Sequence, residues 1–412
     1  MTIKVDDPKY GVNGKPDRFE LRLSILFAAL FMPNAIYLSF FPLWLEYKSF
    51  TPLQISTMLT LPVFVRLLVT PVFTHLADKS PERARILLVI CSASFVCSLL
   101  LFLPLGFAGV LAVVVLLAVV WSPQVPIADS IALSGVRRYR TNYASIRLWG
   151  SVVFLALNVV AGFIIQRTNP AYAIPLMVLG FGAITLASLQ TPKLGQKRAP
   201  APFFRGGKGN VLRSFPVLFM LIATALIQAS HGFMYNFGSI YWTSLGVNAQ
   251  LVGFLWAIQV FAEIILFRVY GRLFAHVRIE TVLLCAGLFG MARWTLFGFA
   301  DELSLGFTTL AMVQTLHALT FGATYLAQQA YLSNAVPEEQ ASSAQGLSVF
   351  IHGIVMACVM FASGPLYDAF KGHGFFAMIA VCALGIGFSF LFARSERSQT
   401  AKSDLAIEVS SP

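Results

Sequence analysis

Runs of about 20 residues with little charge recur twelve times along this chain, and that recurrence constrains the fold more than any other feature. A peptide group in hydrocarbon finds no water, so each run must satisfy its own backbone hydrogen bonds as a helix. The runs cover residues 21–45, 52–77, 86–105, 109–133, 143–165 and 171–189, then 216–243, 252–274, 281–299, 303–332, 344–370 and 375–392. Of 412 residues, 57% are hydrophobic and only 11% charged, more apolar surface than soluble cores of this size hide. The expectation is an all-α membrane protein with about 12 transmembrane helices.

Basic residues set the orientation, because Lys and Arg in short loops stay on the cytoplasmic side. Of the 29, Lys48, Arg167 and Lys371 fall outside if the N-terminus is inside, Arg66, Arg147, Arg268 and Arg293 lie within helices, and the other 22 fall on the inner side. The net charge of +11 is thereby explained by topology, which leaves nucleic acid no role as a partner. The first twenty residues lack the apolar core of a signal peptide, so both termini are expected in the cytoplasm and the chain in a bacterial inner membrane. All five cysteines sit in apolar runs with no disulfide or metal spacing.

Residues 191–214 are polar, with six basic residues plus proline and glycine, and read as a linker. The expected organisation is a cytoplasmic segment 1–20, a six-helix half 21–190, the linker 191–214, a second six-helix half 215–393 and a cytoplasmic tail 394–412. An even split of this kind suits two repeats that rock about a central site. A faint echo supports it: Gly150, Val153 and Phe154 recur as Gly346, Val349 and Phe350.

Ionisable and polar residues inside the runs carry the functional information, since a charge at mid-bilayer costs at least about 2.5 kcal/mol. Asp129 and Glu263 are the only acids well within runs, and Arg66, Arg147 and Arg293 are their basic counterparts; Arg268 is close enough to a helix end to snorkel. Asp129 and Arg147 could meet across the hairpin between the fourth and fifth helices. Gln228, His231 and Tyr235 form one stripe by their spacing, as do Trp256, Gln259 and Glu263, and Gln314, His317 and Phe321. Three such stripes can line one cavity, although interhelical hydrogen bonding uses the same residue types. Asn34 either contacts substrate or satisfies backbone near Pro33, and His352 reads as a packing residue. Gly287 and Gly290 read as close helix packing. No P-loop, zinc-ligand set or catalytic triad context is visible, so no enzyme activity, metal or cofactor is expected.

The segment from His75 through Asp78, Arg83 and Arg85 resembles the loop signature of major facilitator transporters. Trp121 to Asp129, Tyr143 to Ser151, Phe40 to Leu45, Gln228 to His231, Ser239 to Trp242, Trp256, Glu263, Arg293 with Trp294, Gln314 to His317 and Gly372 to Gly374 together resemble bacterial phenylpropionic acid transporters, and more distantly lactose permease and oligosaccharide:proton symporters. The resemblance implies the major facilitator fold. It also implies that the clustered charges from Asp78 to Arg85 brace helix ends and that Glu263, Arg293 and His317 belong to a substrate and proton network. Thr320 departs from the lactose permease pattern, standing where that family places a coupling carboxylate.

The function expected is proton-coupled symport of a small aromatic or organic acid. Arg66, Asp129, Arg147, Gln228, His231, Tyr235, Trp242, Trp256, Arg293, Gln314 and Phe321 are the candidate substrate contacts, and Glu263, His317 and Asp129 the candidate proton carriers. A guanidinium such as Arg293 or Arg147 can hold a carboxylate through two hydrogen bonds while aromatic rings offer a flat wall. A sugar or nucleoside symporter, a proton-antiport exporter and a non-transporting receptor are the alternatives. Substrate, protons and lipid are the expected partners; the oligomeric state is not written in the sequence.

Overall fold

The computed structural model describes residues 10–11, 15–195, 212, 214–274, 276–337 and 340–410. Most of segment 1–20 and of linker 191–214, including Lys197, Arg198, Arg205, Lys208 and Arg213, lies outside the described residues. Apart from a two-stranded ladder of β1 (Tyr10–Gly11) and β2 (Lys15–Pro16), the chain is helical. Its helices are α1 (Phe19–Ser39), α2 (Phe41–Tyr47), α3 (Pro52–Lys79), α4 (Arg83–Leu99), α5 (Phe107–Trp121), α6 (Gln124–Tyr139), α7 (Tyr143–Arg167) and α8 (Ala173–Leu189). Next in order are α9 (Phe215–Ala229), α10 (Gly232–Ser244), α11 (Ala249–Leu273), α12 (Ile279–Gly298), α13 (Phe307–Thr315), α14 (Ala323–Ala335), α15 (Ala341–Phe370) and α16 (Phe375–Ser410).

Ten stretches of the described residues are long and apolar enough to cross a membrane. The difference from the twelve apolar runs has two causes. The last stretch, Ser343–Ser398, contains both α15 and α16 around the turn Lys371–Gly374. The run at 303–332 is broken into α13, a π-helical turn Ala318–Gly322 and α14, none of which is a full span alone.

The breaks fall in matching places in the two halves. The first run divides into α1 and α2 and the seventh into α9 and α10; the fourth divides into α5 and α6 and the tenth around its π turn. A break inside a membrane frees backbone groups, and nearby hydroxyl and amide side chains restore the bonds. Thr324 donates to the Thr320 carbonyl at 2.7 Å beside the π turn; Asn34 donates to the Leu30 carbonyl at 2.8 Å within α1, ahead of the break at Phe40. The start of α3 is fixed differently, by a reciprocal capping box between Thr51 and Gln54 with Pro52 in the first turn.

The chain divides into two compact units, residues 1–201 with 246–257, and residues 202–245 with 258–412. In unit 1, α1 packs on α7 and α8, α4 on α8 and α3 on α5. The loop before α4 works as a brace. Arg83 donates to the Ser130 carbonyl at 3.1 Å and the Ser134 hydroxyl at 2.9 Å, Glu82 accepts from the Gly195 amide at 3.1 Å, and Arg138 donates to the Leu194 carbonyl. In unit 2, α9 packs on α15 and α16, and α12 on α16. Thr224, Gln328 and Ser348 form a buried polar chain that ties α9, α14 and α15 together. Large apolar side chains such as Leu68, 72% exposed, and Leu186, 66% exposed, face outward, as lipid demands.

The tightest backbone approach in unit 1 is between α7 and the first turns of α11. A Cβ on Gly253 would lie 2.1 Å from the Asn158 carbonyl oxygen, and one on Gly162 would lie 2.6 Å from that of Ala249. Gln166 caps the Ala249 amide at 2.9 Å, and Asn158 is bonded to Ser39. Gly253→Ala therefore forces two backbones apart. Its expected cost is about 1–3 kcal/mol, seen as a lowered melting temperature of the detergent-solubilised protein, whereas Gly387→Ala, which meets nothing, leaves the melting temperature unchanged.

Candidate functional site

Arg293 organises the site in unit 2. It lies on α12, is fully buried, and has its guanidinium 4.7 Å from the ring centre of Trp294 and 5.8 Å from that of Phe297. One terminal nitrogen donates to Gln314 Oε1 at 2.5 Å; the other lies 3.4 Å from His317 Nδ1 and 3.5 Å from Thr320 Oγ1. Gln314 in turn reaches Gln259 Oε1 at 3.4 Å. No carboxylate of a described residue pairs with Arg293.

His231, between α9 and α10, closes the network from the other side. Its Nδ1 lies 3.0 Å from the Gln228 carbonyl, which only accepts, so Nδ1 carries the hydrogen. In the neutral ring Nε2 is then the acceptor, and the Thr320 hydroxyl 3.0 Å away donates to it while accepting from Arg293. A neutral His317 likewise carries its hydrogen on Nε2, because Nδ1 faces the Arg293 donor. Thr320 is thus the joint between arginine and histidine. Around it the rings of His317 and Phe321 stack at 5.2 Å, and His231 meets His317 edge-on at 5.0 Å, Trp294 at 5.1 Å and Phe321 at 5.7 Å. Trp294 donates to the Ser230 hydroxyl at 3.0 Å.

Local sequence explains the convergence. Ser230 and His231 interrupt the seventh run, so the imidazole projects from a break and its Nδ1 can take the Gln228 carbonyl. The π turn carries Thr320 and Phe321, with Leu319 and Thr320 amides both donating to the Leu316 carbonyl at 3.0 Å. Such turns insert one residue into a helix and recur at functional sites.

Gln228, His231, Tyr235, Arg293, Gln314, His317 and Phe321 therefore lie in or beside one cluster. Tyr235 tilts against His231 at 6.1 Å. Trp242 lies apart from the polar atoms, fully buried in the aromatic packing of unit 2 and 6.2 Å from Phe297. Trp256 is buried on α11 in the stretch that belongs to unit 1. Glu263 stands one step from the cluster. It makes no hydrogen bond or ion pair with a described residue, and its Cγ packs over Gly322, where a Cβ would come within 3.2 Å. Arg293 is turned toward Gln314, His317 and Thr320 instead.

Unit 1 holds Asp129, Arg147 and Arg66. Asp129 accepts from the Tyr143 hydroxyl at 2.7 Å, and Arg147 lies within electrostatic reach of both. The Arg147 guanidinium rests over Phe31 at 4.1 Å and Phe27 at 5.6 Å, with no ion pair to a described residue. Gly150 makes this possible, since a Cβ there would lie 2.7 Å from Phe31 and 3.1 Å from Arg147 Nη1. Arg66, on α3, is within electrostatic reach of the Tyr37 hydroxyl, which is buried without a hydrogen-bond partner. Tyr37 stacks on Phe41 at 5.1 Å and meets Trp121 edge-on at 5.3 Å. His352 bonds the Ser348 carbonyl of its own helix.

Sequence reasoning set Thr320 aside as a departure and left Tyr37, Tyr143 and Ser230 out. Serine and threonine hydroxyls are common in membrane helices, where they bond their own backbone, so composition does not mark Thr320 or Ser230.

The model of the MFS_1 like family matches residues 21–378 of this chain. The chain belongs to that family. It is 26% identical to the probable 3-phenylpropionic acid transporter of Escherichia coli (strain K12), over 88% of this chain and 94% of that protein. It is 23% identical to the maltose permease of Geobacillus stearothermophilus, over 95% of this chain and 98% of that protein. Among solved structures, the nucleoside transporter NupG aligns with a TM-score of 0.75 at 13% identity, covering 92% of this chain and 99% of that one. A bacterial homolog of the human lysosomal transporter Spinster aligns at 0.68, also at 13% identity, covering 92% and 96%. These likenesses identify the fold of an MFS transporter. The protein is an integral membrane secondary transporter and not an enzyme.

The Gln314 amide oxygen is the strongest acceptor that Arg293 has. Gln314→Leu removes it from a buried charge and should cost about 2–3 kcal/mol, read as a lowered melting temperature that Gln314→Glu reverses.

Proposed function

We propose that this transporter is a proton-coupled symporter that carries a small aromatic or other organic acid, of the phenylpropionate kind, inward across the bacterial cytoplasmic membrane. One observation carries the reading: the guanidinium of Arg293 is fully buried in an apolar bundle without a carboxylate among the described residues. An uncompensated charge there is costly, and an anionic substrate supplies the compensation that a neutral one does not. The spare hydrogen-bonding capacity has the same sign. Arg293 Nε and the Gln228 side-chain nitrogen are buried donors with no partner among the described residues, so the group that completes the site brings acceptors. Trp294, Phe297, Phe321 and the two histidine rings supply flat apolar faces for an aromatic body. The name of the E. coli relative points to the same class of cargo.

Glu263 is the leading proton carrier in this reading, with His317 and Asp129 beside it. Glu263 packs its Cγ methylene on Gly322 and forms no ion pair with a described residue, so its protonation follows access of the carboxyl to water. Each charge moved through the full membrane potential is worth about 2.3 kcal/mol per 100 mV, enough to drive accumulation of an anion that travels with protons. In unit 1, Arg147, Asp129 and Arg66 are the substrate-side residues of the reading. Both termini lie in the cytoplasm, and the two six-helix halves are 21–190 and 215–393.

A sugar or nucleoside cargo, suggested by the names of the maltose permease and NupG, is the second reading. Thermal-shift measurements against 3-phenylpropionate, maltose and uridine separate them, since a ligand that binds only the native state raises its stability. Stabilisation by the acid alone is expected, and stabilisation by maltose or uridine alone overturns the proposal. Uptake of labelled 3-phenylpropionate into right-side-out vesicles should collapse with a protonophore; uptake indifferent to the proton gradient removes the coupling.

Two substitutions sharpen the assignment. Arg293→Met keeps volume and removes the buried charge, so it should leave the melting temperature unchanged or raised while abolishing stabilisation by the acid. Glu263→Gln should still bind 3-phenylpropionate, at a changed affinity, and lose its accumulation. Normal accumulation by that variant would exclude Glu263 as the proton carrier.

A further inference from the structure

The π turn Ala318–Gly322 touches both halves of the proposed chemistry on neighbouring residues. Thr320 joins Arg293 to His231, Phe321 stacks on His317, and Gly322 is the surface on which the Glu263 side chain packs. We propose that this turn is the mechanical link between Glu263 and the Arg293 site, with Gly322 and Thr320 as its positioning residues. The inference rests on the reading of Glu263 as proton carrier and of Arg293 as anion binder.

The turn has the construction of an element with two arrangements. A π turn holds one residue more than the α-helix it interrupts, and returning to α geometry rotates the helix beyond it by about 100° or moves the extra residue along the helix. The alternative bonds are already engaged: the Leu316 carbonyl receives two amides, and the Thr320 carbonyl is taken by the Thr324 hydroxyl. Little backbone bonding is therefore lost in a shift.

Contact with Glu263 supplies the bias. A Cβ at Gly322 would meet Glu263 Cγ, Leu266 Cδ2 and Phe267 Cε1, each at 3.2 Å, so the methylene next to the Glu263 carboxyl shares an apolar surface with Leu266 and Phe267. A neutral carboxyl tolerates that surface and a carboxylate without a cation does not. Ionisation thus moves the side chain off Gly322, the turn follows, and the Thr320 hydroxyl shifts against Arg293 and His231. Among the described residues, the Tyr235 hydroxyl on α10 lies within electrostatic reach and feels both Glu263 and Arg293. It offers a rival, purely electrostatic route that the test must separate from the turn.

Amide hydrogen exchange of residues 316–324 reads the turn without needing a substrate. At one pH, Glu263→Gln should change exchange in this segment by about threefold or more, and the same substitution in a Gly322→Ala background should change it little. The response should survive in a Tyr235→Phe background. Binding of 3-phenylpropionate is measured in parallel by thermal shift. If Glu263→Gln alters that binding but leaves exchange in 316–324 unchanged, the reading of the site stands and the turn is not the link. An equal exchange response with glycine or alanine at 322, or a response lost in Tyr235→Phe, also overturns the inference. If Glu263→Gln changes neither quantity, the inference falls, and accumulation alone decides whether Glu263 remains the proton carrier. Should Gly322→Ala fail to fold, Thr320→Val must uncouple 3-phenylpropionate binding from Glu263→Gln and Thr320→Ser must preserve it; coupling retained in Thr320→Val overturns the proposal.

Discussion

A buried guanidinium that no carboxylate of a described residue neutralises is the condition to which unit 2 is built. Arg293 is held by aromatic faces, an amide oxygen, an imidazole nitrogen and a hydroxyl, each of which offers partial negative charge and none of which offers a full one. The helices that supply those groups are the ones whose regular bonding is interrupted. His231 projects from the junction of α9 and α10, and Thr320 and Phe321 from a π turn. Regular helices would point side chains by a fixed rotation of their axes. The interruptions change the phase locally, bringing a hydroxyl, two imidazoles and a phenyl ring to one guanidinium.

The same economy of backbone bonding shapes unit 1. Its first and fourth runs are interrupted as the seventh and tenth are, which makes the repeat more visible in the breaks than in residue identities. Proline explains part of this, at Pro42 in the first turn of α2 and at Pro123 ahead of α6. Unit 2 reaches corresponding interruptions without proline, through Ser230 and His231 in one place and a hydroxyl-supported π turn in the other.

Much of the fold was legible because hydrocarbon leaves the chain few choices. Long apolar runs have to be helices, and ten stretches of the described residues have the length and apolarity to span. Arg293, His317 and Gln314 were legible for the converse reason: each is expensive where it stands, so its presence implies partners. What escaped the sequence was which partners. The spacing of Asp129 and Arg147 brings them close, yet Tyr143 takes the carboxylate, and Phe27 and Phe31 lie under the guanidinium. Glu263 and Arg293 are both charged residues within apolar helices, yet Gly322 receives one and Thr320 the other. Thr320 was the least legible residue of all. A threonine in a membrane helix ordinarily bonds its own backbone, and only the π turn frees its hydroxyl to join two other helices.

The preference for aromatic faces over carboxylates has a functional logic that applies to both units. Arg147 over Phe31 and Arg293 over Trp294 are stabilised by ring quadrupoles, worth about 0.5–2 kcal/mol each, which hold a cation in place without cancelling its charge. A carboxylate partner would form a far stronger pair that an incoming anion would have to break, raising the barrier to binding and removing the advantage of a low-dielectric site. An arginine bound only by quadrupoles and neutral dipoles stays electrostatically open to a mobile anion, yet remains fixed in geometry. The arrangement also removes any internal carboxylate that could lock the emptied site through a permanent ion pair with Arg293. In the proposed mechanism, separation of the Glu263 and Arg293 charges, with the π turn between them, would let one report on the other without neutralising it.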